Sequence, residues 1–497
     1  MQYQSTRNSS VRVSSAQAIS QGISQDKGLF VPTSIPVLTA EDIQDMCGMD
    51  YIARAKKVLG AYLTDFSDEE LGACVQGAYQ GKFEEDKVAP LSKVGENTYF
   101  LELWHGPTCA FKDVALQLLP YLLTTSAKKV VDGKKIVILV ATSGDTGKAA
   151  LEGFKDVENT SILVFYPEDG VSPMQKLQMT TQAGENVAVC AIEGNFDDAQ
   201  NGVKAIFTDP VMAAKLEKHG MMFSSANSIN WGRLVPQIVY YISAYCDLIA
   251  DGEIKAGEPI NVVVPTGNFG NILAAYYARE MGIPIAKLIC ASNQNNVLTD
   301  FIRTGTYDKN RVFHTSISPS MDILISSNLE RLLYHLCGKD DKTLTSWMQA
   351  LTEEGKYAID PQMRAELQKV FWGGYCDDTA TKNTIHEVFQ KYSYLCDTHT
   401  AVAVNVYEQY VKETGDATKT VIASTASPFK FSSSVLDAIA PEKVDKNDFV
   451  TAERLSQVSG YAIPKALKEL KDKQPRFDTC CTRENMEQIV LEMLHIQ

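Results

Sequence analysis

The chain has 497 residues, and its contents of 45% hydrophobic and 22% charged residues are those of an ordinary globular protein of two or three domains. Its net charge of −14 argues against a nucleic-acid partner, and the sequence shows no basic stripe. No apolar run approaches the roughly 20 residues that a membrane-spanning helix needs, so we expect no membrane partner.

The cysteines and histidines exclude two further classes of protein. Eleven cysteines are scattered without a Cys-x-x-Cys pair, and the first residues lack the apolar core of a signal peptide. The sequence therefore predicts reduced thiols and a cytoplasmic location. The seven histidines do not show the spacing of a metal-binding motif, so we expect no metal site.

Helices come first along the chain, and strands then alternate with helices. Residues 1–90 have apolar residues at helical spacing in 41–59 and 68–79, and residues 322–412 are predicted to be mostly helical. The predicted strands are residues 135–141, 161–166, 187–192, 260–264, 287–291 and 420–424. This alternation is typical of parallel βαβ units, in an α/β fold with helices on both faces of each sheet.

One lysine stands in the mostly uncharged run from His105 to Asp113. Lys112 lies there between a Gly-Pro pair and an amphipathic run. A lysine that is held out of water loses proton affinity, because burial penalises the ammonium form. The neutral amine is a nucleophile, used mainly for a Schiff base with a carbonyl such as that of pyridoxal phosphate (PLP). The alternative is a solvated lysine at the start of a helix.

The strand at 260–264 leads into a loop with two glycines three residues apart. These glycines let the backbone turn and expose its amides, and the following helix adds its positive N-terminal end. The pattern predicts a cradle for a phosphate such as that of PLP, and the absence of a following Lys-Ser/Thr pair excludes a nucleotide P-loop. A plain tight turn is the alternative. The cradle would consist of Gly267, Asn268, Phe269, Gly270 and Asn271.

Two more polar loops follow predicted strands. Residues 142–147 offer hydroxyls and amides at a helix start, which suits an amino-acid carboxylate; the alternative is a capping turn with Ser143 or Asp145 as the N-cap. After 420–424, a hydroxyl group suits the pyridine nitrogen of PLP, and the alternative is a Ser/Thr turn before Pro428. Ligands collect at the carboxyl ends of strands in an open parallel sheet.

Together these segments resemble the threonine synthase family, PLP enzymes of fold type II, over nearly the whole chain. The segment around Lys112 is similar to the family signature His-Gly-Pro-Thr-x-Ala-Phe-Lys-Asp, which implies that Lys112 is the catalytic Schiff-base lysine. Residues 267–271 resemble the family's phosphate loop, and Thr425 matches its pyridine-nitrogen hydroxyl. Similarity to the family's Thr-Ser-Gly-Asp-Thr-Gly loop implies substrate binding by Thr142, Ser143, Gly144, Asp145 and Thr146.

Three further blocks resemble this family in particular: residues 288–300, 320–331 and 397–402. The chain departs from the family at two positions. Asn8 stands where the family usually has Gly, so we expect a different first turn. Thr398 stands where the family has Pro, so we expect a looser backbone there, although His399 is retained.

The resemblance implies two doubly wound parallel-sheet domains with a mostly helical N-terminal extension. The implied division is an N-terminal domain at 1–90, a large PLP-binding domain at 91–130 and 225–445, a small mobile domain at 131–224, and a C-terminal helical segment at 446–497. It implies a carbon–oxygen lyase that converts O-phospho-L-homoserine and water to L-threonine and phosphate, by γ-elimination and β-addition of water. The oligomeric state stays open between monomer and homodimer.

Some assignments have alternatives. The leaving phosphate requires cationic or amide donors, and Arg331 and Lys430 are candidates, with a structural ion pair as the alternative for Arg331. One rival function is another fold type II enzyme, such as a threonine dehydratase or a cysteine synthase. The about 110 residues before Lys112 disfavour it. A second rival is a non-catalytic sensor of PLP or a phosphorylated ligand, which retention of Lys112, Asp145 and Thr425 disfavours.

Overall fold

A computed structural model of the chain describes residues 1–131, 133–142, 144–168 and 171–496, apart from the side chains of 196 and 197. The first 90 residues form four helices and a small antiparallel sheet. They are β1 (Tyr3–Ser5), β2 (Arg12–Val13), α1 (Ser15–Gln21), β3 (Phe30–Pro32), α2 (Ala40–Cys47), α3 (Tyr51–Tyr62) and α4 (Asp68–Tyr79). Each helix begins at a Ser, Thr or Asp whose side chain accepts a backbone amide, which fixes where it starts.

Strands and helices alternate through residues 91–224. The elements are β4 (Leu91–Lys93), β5 (Thr98–Glu102), α5 (Lys112–Leu116), α6 (Leu119–Val130), β6 (Lys135–Ala141), α7 (Asp145–Phe154), β7 (Thr160–Pro167), α8 (Pro173–Thr180), β8 (Val187–Ile192), α9 (Phe196–Thr208), α10 (Pro210–Lys218) and β9 (Met221–Ser224). The predicted strands at 135–141, 161–166 and 187–192 are therefore confirmed.

The remainder of the chain is longer and more helical. Its elements are α11 (Trp231–Ala250), β10 (Ile260–Pro265), α12 (Gly270–Glu280), β11 (Ile285–Ser292), α13 (Val297–Thr304), β12 (Thr306–Asp308), α14 (Leu329–Leu336), α15 (Asp341–Glu353), β13 (Lys356–Ala358), α16 (Pro361–Val370), β14 (Phe371–Tyr375), α17 (Asp378–Tyr392), α18 (Thr398–Thr414), β15 (Thr420–Ser424), α19 (Ser432–Ile439), α20 (Asp448–Ser459), α21 (Lys465–Lys468), β16 (Cys480–Cys481) and α22 (Met486–Met493). Strand β14 was not predicted, because two of its five residues are glycines.

The larger sheet has the strand order β14-β11-β10-β15-β5-β4. All its pairs are parallel except β4 with β5. Every residue of its two central strands, β10 and β15, is buried, as expected for strands covered by helices on both faces. Four strands that end at one edge, β11, β10, β15 and β5, therefore lead into neighbouring loops.

The smaller sheet has the order β16-β8-β7-β6-β9, and all its pairs are parallel. Its edge strand β16 lies within residues 446–497, so this segment, which was predicted to be helical, contains one short strand as well as helices. The apolar residues before it, Leu455, Leu467 and Leu470, belong to a core cluster of the larger sheet, whereas Val490 belongs to the core of the smaller one. A strand of two residues is too short to show a period.

The N-terminal strand is fastened to the rest of the molecule by polar contacts. Arg7 makes two hydrogen bonds to Glu330, at 3.0 and 2.7 Å, and Thr6 makes a third at 2.6 Å. Asn8 forms a side-chain turn, since its Oδ1 accepts from the amide of Ser10 at 3.1 Å. In the described part of the chain, helices that combine the length and apolar character needed to cross a membrane are absent.

Candidate active site

The predicted cofactor residues meet at the carboxyl edge of the larger sheet. Lys112 follows strand β5, Thr425 follows β15, and the loop 267–271 follows β10, and these strands are neighbours in the sheet. The amide of Phe111 donates to the carbonyl oxygen of Thr425 at 2.8 Å, which ties the lysine segment to the end of β15. These three segments therefore lie at one edge of the larger sheet, where ligands of parallel sheets collect.

Lys112 is the first residue of α5, and its side chain is 12% exposed. Its Nζ donates to Ser320 Oγ at 3.2 Å and lies 4.0 Å from Asp145 Oδ2. The pKa of Lys112 is lowered to about 8, chiefly by burial and also by the positive charges of Lys430 and Arg233, although Asp145 acts to raise it. The solvated-lysine alternative is excluded, and the neutral amine is accessible near neutral pH.

The turn before Lys112 is built around a buried carboxylate. Asp113 accepts from the amide and the hydroxyl of Thr108, at 2.8 and 2.6 Å. Burial raises the pKa of Asp113 to about 6, against these hydrogen bonds. A Cβ at Gly106 would come within 2.6 Å of Asp113, so this position requires glycine. The Gly-Pro-Thr lead-in therefore sets the direction in which α5 begins.

The loop 267–271 turns its amides away from the neighbouring segment. Gly267 O accepts from Ser326 Oγ at 2.7 Å, and Asn268 O accepts from Asn328 N at 3.1 Å. Because N–H and C=O point in opposite directions across a trans peptide, the amides of Asn268 and Phe269 face the other way. Neither amide has an acceptor within the described residues. The loop thus has the donors that a phosphate needs.

Three further features of this loop fit a phosphate cradle. Phe269 adopts a left-handed conformation, with φ of 64°, immediately before α12. A Cβ at Gly267 would lie 2.5 Å from the carbonyl oxygen of Ser320, so a side chain there is excluded. Asn271 Oδ1 accepts from the hydroxyls of Tyr240 and Tyr241, while its buried Nδ2 has no partner in the described part of the chain. This donor set fits the phosphate of PLP.

Thr425 presents a neutral hydroxyl at the end of β15. Within the described residues its carbonyl oxygen is used by Phe111, but its Oγ1 makes no hydrogen bond. The preceding residue differs, because Ser424 Oγ accepts from Trp104 Nε1 at 3.1 Å. The chemistry of Thr425 therefore fits the pyridine nitrogen of PLP.

The loop 142–147 has a cap that differs from the predicted ones. Gly144 is the N-cap of α7, so the cap is not Asp145, and Thr142 Oγ1 accepts from the amides of Gly144 and Gly147, at 3.0 and 2.9 Å. Ser143 lies outside the described residues. Gly144 has φ of 142°, a conformation that side chains disfavour. Thr142 and Gly144 thus shape the loop, and Asp145 and Thr146 begin helix α7.

Asp145 joins the smaller sheet's domain to the lysine segment. Its carboxylate accepts from Lys430 Nζ at 2.8 Å and from Gln175 Nε2 at 3.2 Å. Burial alone would raise the pKa of Asp145, but the charges of Lys430 and Lys112 hold it well below its usual range. Lys430, which is 2% exposed, also donates to Thr108 O at 2.9 Å. Lys430 is therefore engaged in joining Asp145 to the segment before Lys112 rather than free for a substrate phosphate.

The prediction that Arg331 holds the substrate phosphate is wrong. Its guanidinium is buried and donates to Phe30 O at 3.0 Å, to Ile229 O at 2.6 Å and to Asn328 Oδ1 at 2.5 Å. Two of these acceptors are backbone carbonyls, so the alternative of an ion pair does not describe it either. Arg331 instead fastens the N-terminal domain and holds Asn328, which in turn holds the loop 267–271.

Arg233 is a buried cation whose charge acts on Lys112, and the sequence pattern did not predict it. It lies in the first turn of α11, and burial lowers its pKa to about 10, with no neighbouring carboxylate opposing that shift among the described residues. Nη1 donates to Ala226 O at 2.5 Å, but the buried Nε has no partner there. Its charge reaches Lys112. The sequence signal available was an arginine just after the helix cap Asn230.

Three family models match the chain in succession. They are "Threonine synthase N terminus" at residues 2–79, "Pyridoxal-phosphate dependent enzyme" at 87–370 and "Threonine synthase, C-terminal" at 400–490. The chain belongs to the threonine synthase family of PLP-dependent enzymes. The α/β fold of type II and the PLP cofactor implied by its sequence are thereby confirmed.

Relatives and solved structures agree with this family. Human threonine synthase-like 1 is 39% identical over 93% of this chain, which spans 63% of that relative's length. Threonine synthase of Pseudomonas aeruginosa is 38% identical, over 96% of this chain and 95% of its own length. The crystal structure of PLP-bound threonine synthase from Brucella melitensis has a TM-score of 0.88 and 35% identity, and covers 99% of each chain.

Proposed function

We propose that this chain converts O-phospho-L-homoserine and water to L-threonine and phosphate, with Lys112 as the catalytic base and acid. The observation that carries the proposal is one buried amine, Lys112, beside a loop with unpartnered amides and a buried guanidinium, that of Arg233. We propose that the amides of 267–271 bind the PLP phosphate and that Arg233 binds the substrate phosphate. A PLP enzyme whose substrate is itself phosphorylated needs both.

PLP would be held by Lys112, by the amides of residues 267–271 and by the Thr425 hydroxyl. When bound, it withdraws electrons from the substrate's α-carbon, which makes protons on neighbouring carbons easier to remove. Lys112 would remove and return those protons at the α, β and γ carbons. Its pKa of about 8 suits an amine that acts both as base and as acid near neutral pH.

The start of α7 is the proposed site of the substrate carboxylate. The amides of Asp145 and Thr146 and the Thr146 hydroxyl are suitable donors at a helix N-terminus. Thr142 and Gly144 would act by shaping the loop, and Ser143 stays a prediction. The Asp145 side chain is itself anionic, so we propose that it orients Lys430 and Lys112 rather than binding the substrate carboxylate.

The substrate phosphate is assigned to Arg233. A buried guanidinium with a free Nε gains more from a dianion than an exposed one, because less solvent competes for it. This arrangement favours γ-elimination of phosphate over the chemistry of a dehydratase, whose substrate carries no phosphate. Water would then add at the β-carbon.

The cellular setting is also part of the proposal. Eleven cysteines without regular spacing fit a reducing compartment, so we propose the cytoplasm. The net charge of −14 supports a small-molecule partner rather than a nucleic acid. Fractionation of the cells that produce the protein would test the location.

The deciding experiment follows phosphate and threonine together after the purified protein is mixed with PLP and O-phospho-L-homoserine. Release of both in equal amounts supports the proposal. Phosphate with 2-oxobutyrate but without threonine would replace it by a phospho-lyase on the same scaffold. Binding of the substrate without any product would favour a non-catalytic sensor, the reading left open by the similarity to threonine synthase-like 1.

A further inference from the structure

Ser320 lies between two parts of the cofactor site. Its hydroxyl accepts a hydrogen bond from Lys112 Nζ at 3.2 Å. Its carbonyl oxygen lies against Gly267, where a Cβ would come within 2.5 Å. A shift of Ser320 would therefore disturb the reactive amine and the phosphate loop at once. The family signature that surrounds Lys112 contains neither Ser320 nor the residues that hold it.

A buried histidine holds the backbone of Ser320. The Ser320 amide donates to His399 Nε2 at 3.1 Å, and the other ring nitrogen, Nδ1, lies 2.7 Å from Asp397 Oδ2. Since Nε2 accepts, the ring proton is assigned to Nδ1, which donates it to Asp397. The two side chains are 3% and 0% exposed, so their geometry is shielded from water.

The pair is itself held firmly. Asp397 is the N-cap of α18 and accepts from the amides of His399 and Thr400, at 2.9 and 3.1 Å. The imidazole ring packs edge-on against Phe431 with 4.9 Å between centroids. Thr398 occupies the first position of the helix, where proline is favoured but its ring is not required. Thr398 thus begins a regular helix that is capped by Asp397.

A second network holds the same segment from the other side. Asp322 Oδ1 accepts from Asn293 Nδ2 at 2.7 Å and from Asn295 Nδ2 at 3.0 Å. Both asparagines follow strand β11. Three blocks of the sequence resemble the family outside the segment around Lys112. In the structure they converge on Ser320 and its neighbours: residues 288–300, 320–331 and 397–402.

We propose that Asp397 and His399 are positioning residues that hold Ser320 in place, and that Ser320 orients the Lys112 amine through its hydroxyl. An acceptor fixed on one side of the amine reduces its freedom and raises the fraction that is placed to react. The proposal rests on PLP as the cofactor and not on which substrate is used, so PLP binding alone can test it.

The test titrates the purified full-length apoprotein with PLP and follows the visible absorbance of the lysine-bound cofactor. His399→Leu removes the acceptor of the Ser320 amide, and we expect PLP binding to weaken about tenfold to a hundredfold, the usual effect of leaving a buried donor unpaired. His399→Gln keeps a side-chain oxygen near the position of Nε2 and should restore most of the affinity. His386→Leu, at an exposed histidine, is the matched control and should leave binding unchanged.

Two results would overturn the proposal. One is PLP affinity and absorbance in His399→Leu equal to those of the parent chain, even if the unfolding temperature falls. The other is an equal loss in the Leu and Gln variants, since a retained acceptor would then have no effect. Activity with O-phospho-L-homoserine enters neither result, so failure here is distinct from failure of the proposed reaction.

Ser320→Ala provides a second test that keeps the backbone amide and its bond to His399. It removes the acceptor of Lys112, and we expect the absorbance to appear about fivefold more slowly after PLP is added. An unchanged rate in a folded Ser320→Ala protein would remove the proposed role of the hydroxyl. This arm remains decisive if His399→Leu does not fold.

Discussion

At Lys112, burial and two neighbouring cations act against the charged form, and two carboxylates, first Asp145 and then Asp113, act for it. With a pKa of about 8, roughly a tenth of the amine is neutral at pH 7, whereas an ordinary lysine is almost entirely charged. The residues around the amine thus supply reactivity before any cofactor arrives. Arg233 is one of those cations, so it lowers the pKa of Lys112 in addition to its proposed role at the substrate phosphate.

Replacing Lys112 with alanine should abolish turnover by several orders of magnitude while the protein still folds, since the base and the cofactor attachment are lost together. The visible absorbance of bound PLP should also disappear. Lys129→Ala, on the surface of α6, is the control and should keep both signals. Substantial activity in Lys112→Ala would place the catalytic amine elsewhere.

Arg233→Met and Arg331→Ala both remove a buried arginine, but the first should change substrate binding and the second should change stability. Arg233→Met should raise the KM for O-phospho-L-homoserine by roughly tenfold or more, with little change in PLP affinity. Arg331→Ala should leave three buried acceptors unpaired and lower the free energy of unfolding by about 3 kcal/mol or more. Steady-state kinetics and urea unfolding measure the two effects. An unchanged KM in Arg233→Met would remove Arg233 from the phosphate site.

Among the elements, helix α7 links the two sheets through charged side chains. Its first residue, Asp145, reaches Lys430 and Lys112 from the other domain, and Thr142 holds the loop before it. The phosphate loop likewise depends on its neighbour, because Ser326 and Asn328 hold its carbonyl groups. Each active-site loop is therefore held by a segment that is distant in the sequence.

The pH dependence of PLP attachment should report this link. The rate at which the apoprotein reacts with PLP should rise with pH and level off above about 8, as Lys112 loses its proton. Asp145 raises the pKa of Lys112, so Asp145→Asn should move the midpoint to lower pH. Stopped-flow absorbance across pH 6 to about 10 would measure both midpoints. A midpoint that stays in place or moves up would contradict the assigned role of Asp145.

For the molecule as a whole, the sequence predicted those site residues that lie in short motifs next to strands. The loops at 142–147, 267–271 and 425 follow predicted strands, and the larger parallel sheet brings two of them, 267–271 and 425, to one edge beside Lys112. The roles of Arg233, Ser320 and Lys430 could not be predicted from the sequence, because their contacts join distant parts of the chain. Lys112 and Ser320 are 208 residues apart. Strand β16 was missed because its pairing with β8 is set by tertiary structure.

The core that α22 builds against the smaller sheet can be tested with a charge. Val490 is fully buried there, and Val490→Asp should lower the free energy of unfolding by about 3 kcal/mol or more, because an aspartate has no partner in that core. Gln488→Asp, exposed on the same helix, should have little effect. Thermal unfolding with limited proteolysis would show whether the smaller sheet opens first. Equal stability of the two variants would contradict the placement of Val490 in the core of the smaller sheet.

The position of β16 has a consequence for how the protein is made. Strand β8 leaves the ribosome nearly 290 residues before the strand that covers its edge. During that interval the larger sheet can be completed, while the smaller one presents an uncovered edge to the cell. Translation of Cys480 and Cys481 is therefore the step that closes the smaller sheet, and a pause before that step would leave the larger sheet complete and the smaller sheet open.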